Sequence, residues 1–179
     1  MRSKIILKIV GTIAIVLLLV FVVMTKSATA DVPYKQVQLS HNNLVENNVI
    51  DKAYDTAVSV ALDVAGITGI VVNINELSQE AKKQFDGELK AHVRYYGGQF
   101  FIFIISSNHK DAIEILSHEI VHIQQYLDGD FVYDDYSGKV YWKGQESDLE
   151  NTSYDNRSWE VEAFAKQSDI SSKVYDILY

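Results

Sequence analysis

Ser117-His118-Glu119-Ile120-Val121-His122 reads H-E-x-x-H, and the chain is best read outward from it. On a helix, positions four apart stack on the same face. The two imidazoles would then stand side by side, within reach of one cation. Glu119 falls at the edge of that face, where its carboxylate could take a proton from a water. Two His ligands on zinc with a neighbouring Glu as general base is the chemistry this spacing serves.

The surroundings predict the helix that the motif needs. Ser106-Ser107-Asn108 offers N-caps, the helix is expected from about Lys110 to Leu127, and Gly129 stops it. Asp111 and Glu114 suit the positive end of a helix dipole. Ile113, Leu116, Ile120, Ile123 and Leu127 make one apolar stripe, with His118, His122 and Gln125 to one side of it. Taken singly, His41, His92 and His109 read as ordinary surface residues.

A catalytic zinc takes three protein ligands and leaves a fourth position for water. The chain has no cysteine and no histidine after His122, so the third ligand must be a carboxylate or an upstream histidine. Downstream, Phe131–Tyr133 and Val140–Trp142 are expected to pair as a hairpin around Ser137-Gly138. A polar, acidic loop follows from Lys143 to Asn156. A helix capped by Ser158 then runs to the C-terminus, with Glu160 and Glu162 in its first turns. Either Glu would also simply favour a helix N-terminus. Tyr154 and Arg157, just ahead, are candidate donors to an oxyanion. Asn151-Thr152-Ser153 and Asn156-Arg157-Ser158 match the glycosylation acceptor pattern, which matters only in a glycosylating host.

Taken together, H-E-x-x-H-x-x-Q over His118–Gln125 and W-E-x-E-A over Trp159–Ala163 resemble the small zincin-like domains of the gluzincin branch found in phage and bacterial proteins. The resemblance covers about residues 99 to 170. It implies zinc held by His118, His122 and Glu160, with Glu119 catalytic, Ala163 in a small packing place, and Glu162 as the fallback ligand. It also implies peptide-bond hydrolysis, on a protein, a peptide or a peptidoglycan cross-link. Phe164 stands where such domains often carry Asp or Asn, the partner that orients a ligand histidine. That departure leaves an alternative: an inactive zincin-like binding module at the cell envelope.

Upstream, a helix is expected from Asn47 or Asn48 to about Val64, ended by Gly66. Ile67–Ile74 reads as a strand, and Glu76–Phe85 as a surface helix or loop. Leu89–Tyr96 and Gln99–Ser106 read as a hairpin closed by Gly97-Gly98. Gln99–Ile105 is apolar enough for a central strand. The other reading makes a strand of this hairpin the sheet edge beside the cleft, where an extended peptide could add. The expected fold class is α+β: a small, mostly antiparallel sheet packed on the motif helix and the C-terminal helix, preceded by a hydrophobic N-terminal helix.

That N-terminal segment carries Arg2, Lys4 and Lys8, then an apolar run from Ile9 to Met24, then Ala28-Thr29-Ala30. It fits either a cleaved secretory signal or a retained membrane anchor, with the domain facing outward in both cases. The expected organisation is 1–30 signal or anchor, 31–46 linker and 47–179 domain, with the polar, unpatterned stretch from Asp31 to about Val45 read as a linker or a loosely docked strand. Beyond residue 30 the chain has 12 basic and 24 acidic residues. Such a surface repels phosphate backbones and argues against nucleic acid as a partner. An exported domain without cysteine must be held by its core, and about 150 residues suffice for one.

Overall fold

The computed structural model describes residues 43–48, 53–76, 90–105 and 109–179. The hydrophobic segment 1–30, most of the expected linker, the Glu76–Phe85 connection beyond Glu76, the caps at Ser106–Asn108 and His41 lie outside the described residues. Among the described residues, no helix is long and apolar enough to cross a membrane.

The elements are β1 (Leu44–Asn47), α1 (Ala53–Ala65), β2 (Val71–Glu76), β3 (Ala91–Tyr96), β4 (Gln99–Ile104), α2 (His109–Leu127), β5 (Phe131–Asp134), β6 (Lys139–Trp142), β7 (Gln145–Glu146) and α3 (Ser158–Leu178), with a 3-10 turn at Tyr154–Asn156 before α3. This is a mixed α+β architecture of three helices and two small sheets among the described residues.

The larger sheet has the order β1-β2-β4-β3. It was expected to be mostly antiparallel, and its pairings correct that. β1–β2 and β2–β4 are parallel, and only β3–β4 is antiparallel. The reason lies in the connections. The chain leaves β1 through α1 before returning as β2, the crossover that a parallel pair requires. The β3–β4 hairpin then inserts its second strand beside β2 and leaves β3 outermost. Gly97 and Gly98 close that hairpin at φ 60° and 82°. Positive φ at both positions matches the right-handed twist of the strands, which is why two glycines stand there.

Side-chain alternation along the paired strands builds the core. Val72 and Ile74 of β2 align with Phe100 and Ile102 of β4, and all four are buried. On the opposite face Phe101 and Phe103 are only half-buried, so β4 is central in the sheet but not doubly covered. α1 packs against α2 and α3, and α2 also packs against β3. Ile113, Leu116, Ile120 and Ile123 of the predicted stripe are buried, whereas Leu127 at its end is 47 % exposed. Each fully buried aliphatic of this kind contributes about 1.5–3 kcal/mol.

Several local expectations are corrected. Residues 44–46, in the segment read as a linker or a loosely docked strand, form β1 in register with Val71–Asn73. Asn47 ends that strand, and Asn48 Nδ2 donates to Asn75 Oδ1; the residues between Asn48 and α1 lie outside the described residues. The β2 strand begins at Val71, later than expected, because Ile67 N–H closes the end of α1 on Leu62 O. Within the polar loop, Gln145–Glu146 add a third strand to the small sheet. Ser158 is already helical. The capping position is Arg157, and no side chain caps α3. At the end of α2, Gly129 (φ 73°) lets Asp130 N–H reach Gln125 O and Gly129 N–H reach Tyr126 O. This fixes where the motif helix stops.

Candidate metal centre

α2 presents His118 and His122 one turn apart, as their spacing requires. The first turn of α3 brings Glu160 against them. His118 Nε2 lies 3.1 Å from Glu160 Oε2 and 3.1 Å from His122 Nε2. His122 Nε2 lies 3.3 Å from the same carboxylate oxygen. These three side chains form a group that could hold a metal ion, the only such group among the described residues.

The outer nitrogens decide which atoms face inward. His122 Nδ1 donates to Gln125 Oε1 at 2.8 Å. Gln125 has no freedom to flip, because its Nε2 donates to Trp159 O and to Glu162 Oε2, both acceptors. His118 Nδ1 donates to Gln167 Oε1 at 2.7 Å, and Gln167 Nε2 lies 3.4 Å from Glu114 Oε1. Both imidazoles therefore carry a hydrogen on Nδ1 and turn Nε2 toward Glu160. Two ring nitrogens and a carboxylate oxygen are natural acceptors, and acceptors packed this closely need a positive charge among them. Tetrahedral ligands about 2.0–2.1 Å from an ion stand about 3.3 Å apart, so the separations fit zinc-type coordination.

The titration behaviour carries the same strain. Burial alone would lower the His122 pKa. The hydrogen bond to Glu160, then the charges of Glu119 and Glu160, outweigh it and raise it to about 9. Burial would raise Glu160, yet its contacts with the His118 and His122 rings, the His122 charge and the Tyr154 hydroxyl hold it down at about 2. With no cation bound, a proton on His122 supplies the missing charge.

Glu119 is 3 % exposed. Burial pushes its pKa up, against the pull of the two histidines and a hydrogen bond from the Val93 backbone N–H. Its Oε2 has no hydrogen-bond partner. It lines a pocket of about 120 Å³ together with His122, Glu160, Tyr154 and the β3 residues Ala91, His92 and Val93. Ile105 N–H bonds Lys90 O, so His92 and Arg94 direct their peptide groups toward β4, and Ala91, Val93 and Tyr95 direct theirs outward. The pocket is thus bordered by β3, the outermost strand of the sheet among the described residues.

The site residues read from sequence divide clearly. His118, His122, Glu119 and Glu160 are brought together, whereas Glu162 points to Gln125, Lys166 and Lys143 and lies outside the cluster. Tyr154 reaches it through a hydrogen bond to Glu160. Burial first, then the Glu160 charge, keeps its phenol protonated. Arg157 stacks near the rings of Tyr154 and Trp159 instead of joining the cluster. Phe164 packs its ring 4.7 Å from that of His118. One turn later on α3, Gln167 supplies the polar partner of His118 Nδ1. Sequence reasoning missed Gln167, although it lies seven positions after Glu160, on the same face of α3. It also misread His92, which is half-buried and stacked on Phe103 at 5.0 Å.

No family model matches the chain, and no curated protein matches it in sequence.

Proposed function

We propose that this chain is a zincin-like, zinc-dependent peptidase with His118, His122 and Glu160 as metal ligands and Glu119 as general base. The observation that carries the reading is the convergence of three acceptor atoms on one point, beside a buried carboxylate with a free oxygen. Zinc in this cluster would polarise a scissile carbonyl and acidify a water. Glu119 Oε2 accepts a proton from the attacking water and delivers it to the leaving amine nitrogen. Burial helps here, because a raised pKa makes the Glu119 carboxylate a better proton acceptor. Val93 N–H holds the other side of the carboxylate in place. The outward peptide groups of Ala91 and Tyr95 offer hydrogen bonds to an extended substrate along the edge of β3. Tyr154, kept protonated, is the donor best placed to meet an oxyanion.

Gln167 bears on the alternative of an inactive binding module. That alternative rested on Phe164 removing the orienting hydrogen bond, and Gln167 supplies one. Exported or membrane-anchored placement, with peptide or peptidoglycan substrates at the envelope, rests on residues 1–30.

The test uses the full chain and its Glu119→Gln variant, each analysed for bound metal and for peptide hydrolysis. Both should hold one zinc, and the variant should lose about 10²–10⁴-fold in turnover. A wild type that stays free of zinc when zinc is supplied removes the metal site. Equal hydrolysis by both forms removes the general-base role.

A further inference from the structure

We propose that Arg157 and the cavity at the start of α3 form a carboxylate-binding subsite, which takes an anionic group of the substrate beside the bond to be cut. The inference rests on the peptidase reading for its role, but the binding it asserts stands on separate observations.

The cavity has a volume of about 260 Å³, and its walls include Trp142, Ser147, Thr152, Arg157, Ser158 and Trp159. The Arg157 Cζ lies 5.6 Å from the centroid of the Tyr154 ring and 5.9 Å from that of Trp159. The stacked rings hold the guanidinium in one place. Among the described residues it makes no hydrogen bond or ion pair, and its Nε is buried without a partner. A guanidinium carries five N–H donors, and burying one unsatisfied is costly.

Lys139, Lys143, Lys166 and Lys173 all sit on carboxylates. Two acids line the same cavity as Arg157, yet neither pairs with it. Glu146 is held by Lys139 at 2.7 Å, and Asp148 by Asn151 at 2.7 Å. The guanidinium is left for an acceptor that comes from outside. No side chain caps α3 at this point, so the positive end of the helix adds to the attraction.

The position gives the subsite its use. Trp159 borders both this cavity and the metal pocket. Arg157 precedes Glu160 by three residues, about 4.5 Å along a helix axis. A carboxylate on Arg157 would therefore belong to a residue next to the scissile bond, or one further on, at about 3.3–3.6 Å per extended residue. The acidic surface repels such a substrate at a distance, so selection must act by contact, through the paired N–H donors of the guanidinium.

The chain has two tryptophans, and both line this cavity, which makes intrinsic fluorescence the readout. The full chain carrying Glu119→Gln is titrated with N-acetyl-Ala-Ala, N-acetyl-Glu-amide and N-acetyl-Ala-Ala-amide. At least one of the two acids should bind at least tenfold more tightly than the amide. Whichever acid binds better identifies a terminal or a side-chain carboxylate as the ligand. Adding Arg157→Gln should reduce the preference to under twofold. Arg157→Lys should keep part of it, since the charge stays but the planar fork is lost. Similar affinity for all three probes overturns the proposal, as does a preference that survives Arg157→Gln. If Arg157→Gln fails to fold by circular dichroism, the acid-to-amide ratio and its reduction in Arg157→Lys decide the matter. A chain that prefers acids through Arg157 but holds no zinc and cuts no peptide keeps the subsite and loses the peptidase reading. A chain that cuts peptide acids and amides alike keeps hydrolysis and loses the subsite.

Discussion

The two helices that make the candidate metal centre contribute to it in opposite ways. α2 is buried along much of its length, with Ser117, His118, Glu119, Ile120 and Val121 all under 9 % exposed. Its site residues lie within one turn of one another, so the helix itself sets their geometry. α3 is largely exposed, and Val161, Phe164, Tyr175 and Ile177 face solvent. It reaches the site at two points seven residues apart, through Glu160 and Gln167, and both matter only because α3 docks across α2. A motif confined to one helix is assembled by local hydrogen bonds. A ligand from a second helix is assembled by packing, so its identity depends on which face that packing turns inward.

That contrast is sharpest between Glu160 and Glu162. Glu160→Ala or His118→Ala should abolish stoichiometric zinc binding and all zinc-dependent hydrolysis, measured by metal analysis after dialysis. Zinc retained by Glu160→Ala would show that α3 does not complete the site. Gln167→Ala and Gln125→Ala test the residues that hold the imidazoles. Each should weaken zinc about 10–100-fold in competition with a chromogenic chelator. Similar losses would put the remote Gln167 on a par with Gln125, which lies within the motif helix.

The next effect is in pH. In the cation-free centre the His122 pKa is raised to about 9, so at pH 7 the imidazole is protonated and metal must displace that proton. Zinc affinity should therefore rise with pH by about tenfold per unit and level off near the His122 pKa. Calorimetry in buffers of different ionisation enthalpy should find about one proton released at pH 7. No release would mean that His122 is neutral before the ion arrives. The smallest effect is expected from Glu162→Gln. Its carboxylate is partly exposed and shared among Gln125, Lys166 and Lys143, so zinc affinity should change by less than about threefold. A loss as large as that of Glu160→Ala would reverse the assignment of the two residues.

Much of the molecule was legible before any coordinates. The β3–β4 hairpin followed from two apolar runs around Gly97-Gly98, and the α2 stop from Gly129. The α2 core face followed from helical spacing. The failures have a common origin. β1 was hidden because four residues of a parallel edge strand carry no periodic signal, and their pairing with β2 is non-local. Parallel pairing of β2 with β4 depends on how the hairpin inserts, which no local residue records. His92 looked like a surface residue because nothing in its neighbourhood foretells stacking on Phe103. Ser158 looked like a cap because its residue type suits one, yet the helix begins with it.

By itself, the sequence determined that His118 and His122 share one face of one helix, with Glu119 at its edge, because four residues make about one turn. It also determined that any zinc must be completed by His or carboxylate, because the chain has no thiol. Only the tertiary structure decided that Glu160 rather than Glu162 turns inward, and that Gln167 reaches His118 Nδ1. It also decided that β3, the outermost strand among the described residues, runs beside Glu119. The two Glu differ by two positions on a helix, a rotation of about 200°, and only packing against a neighbour can choose between such faces.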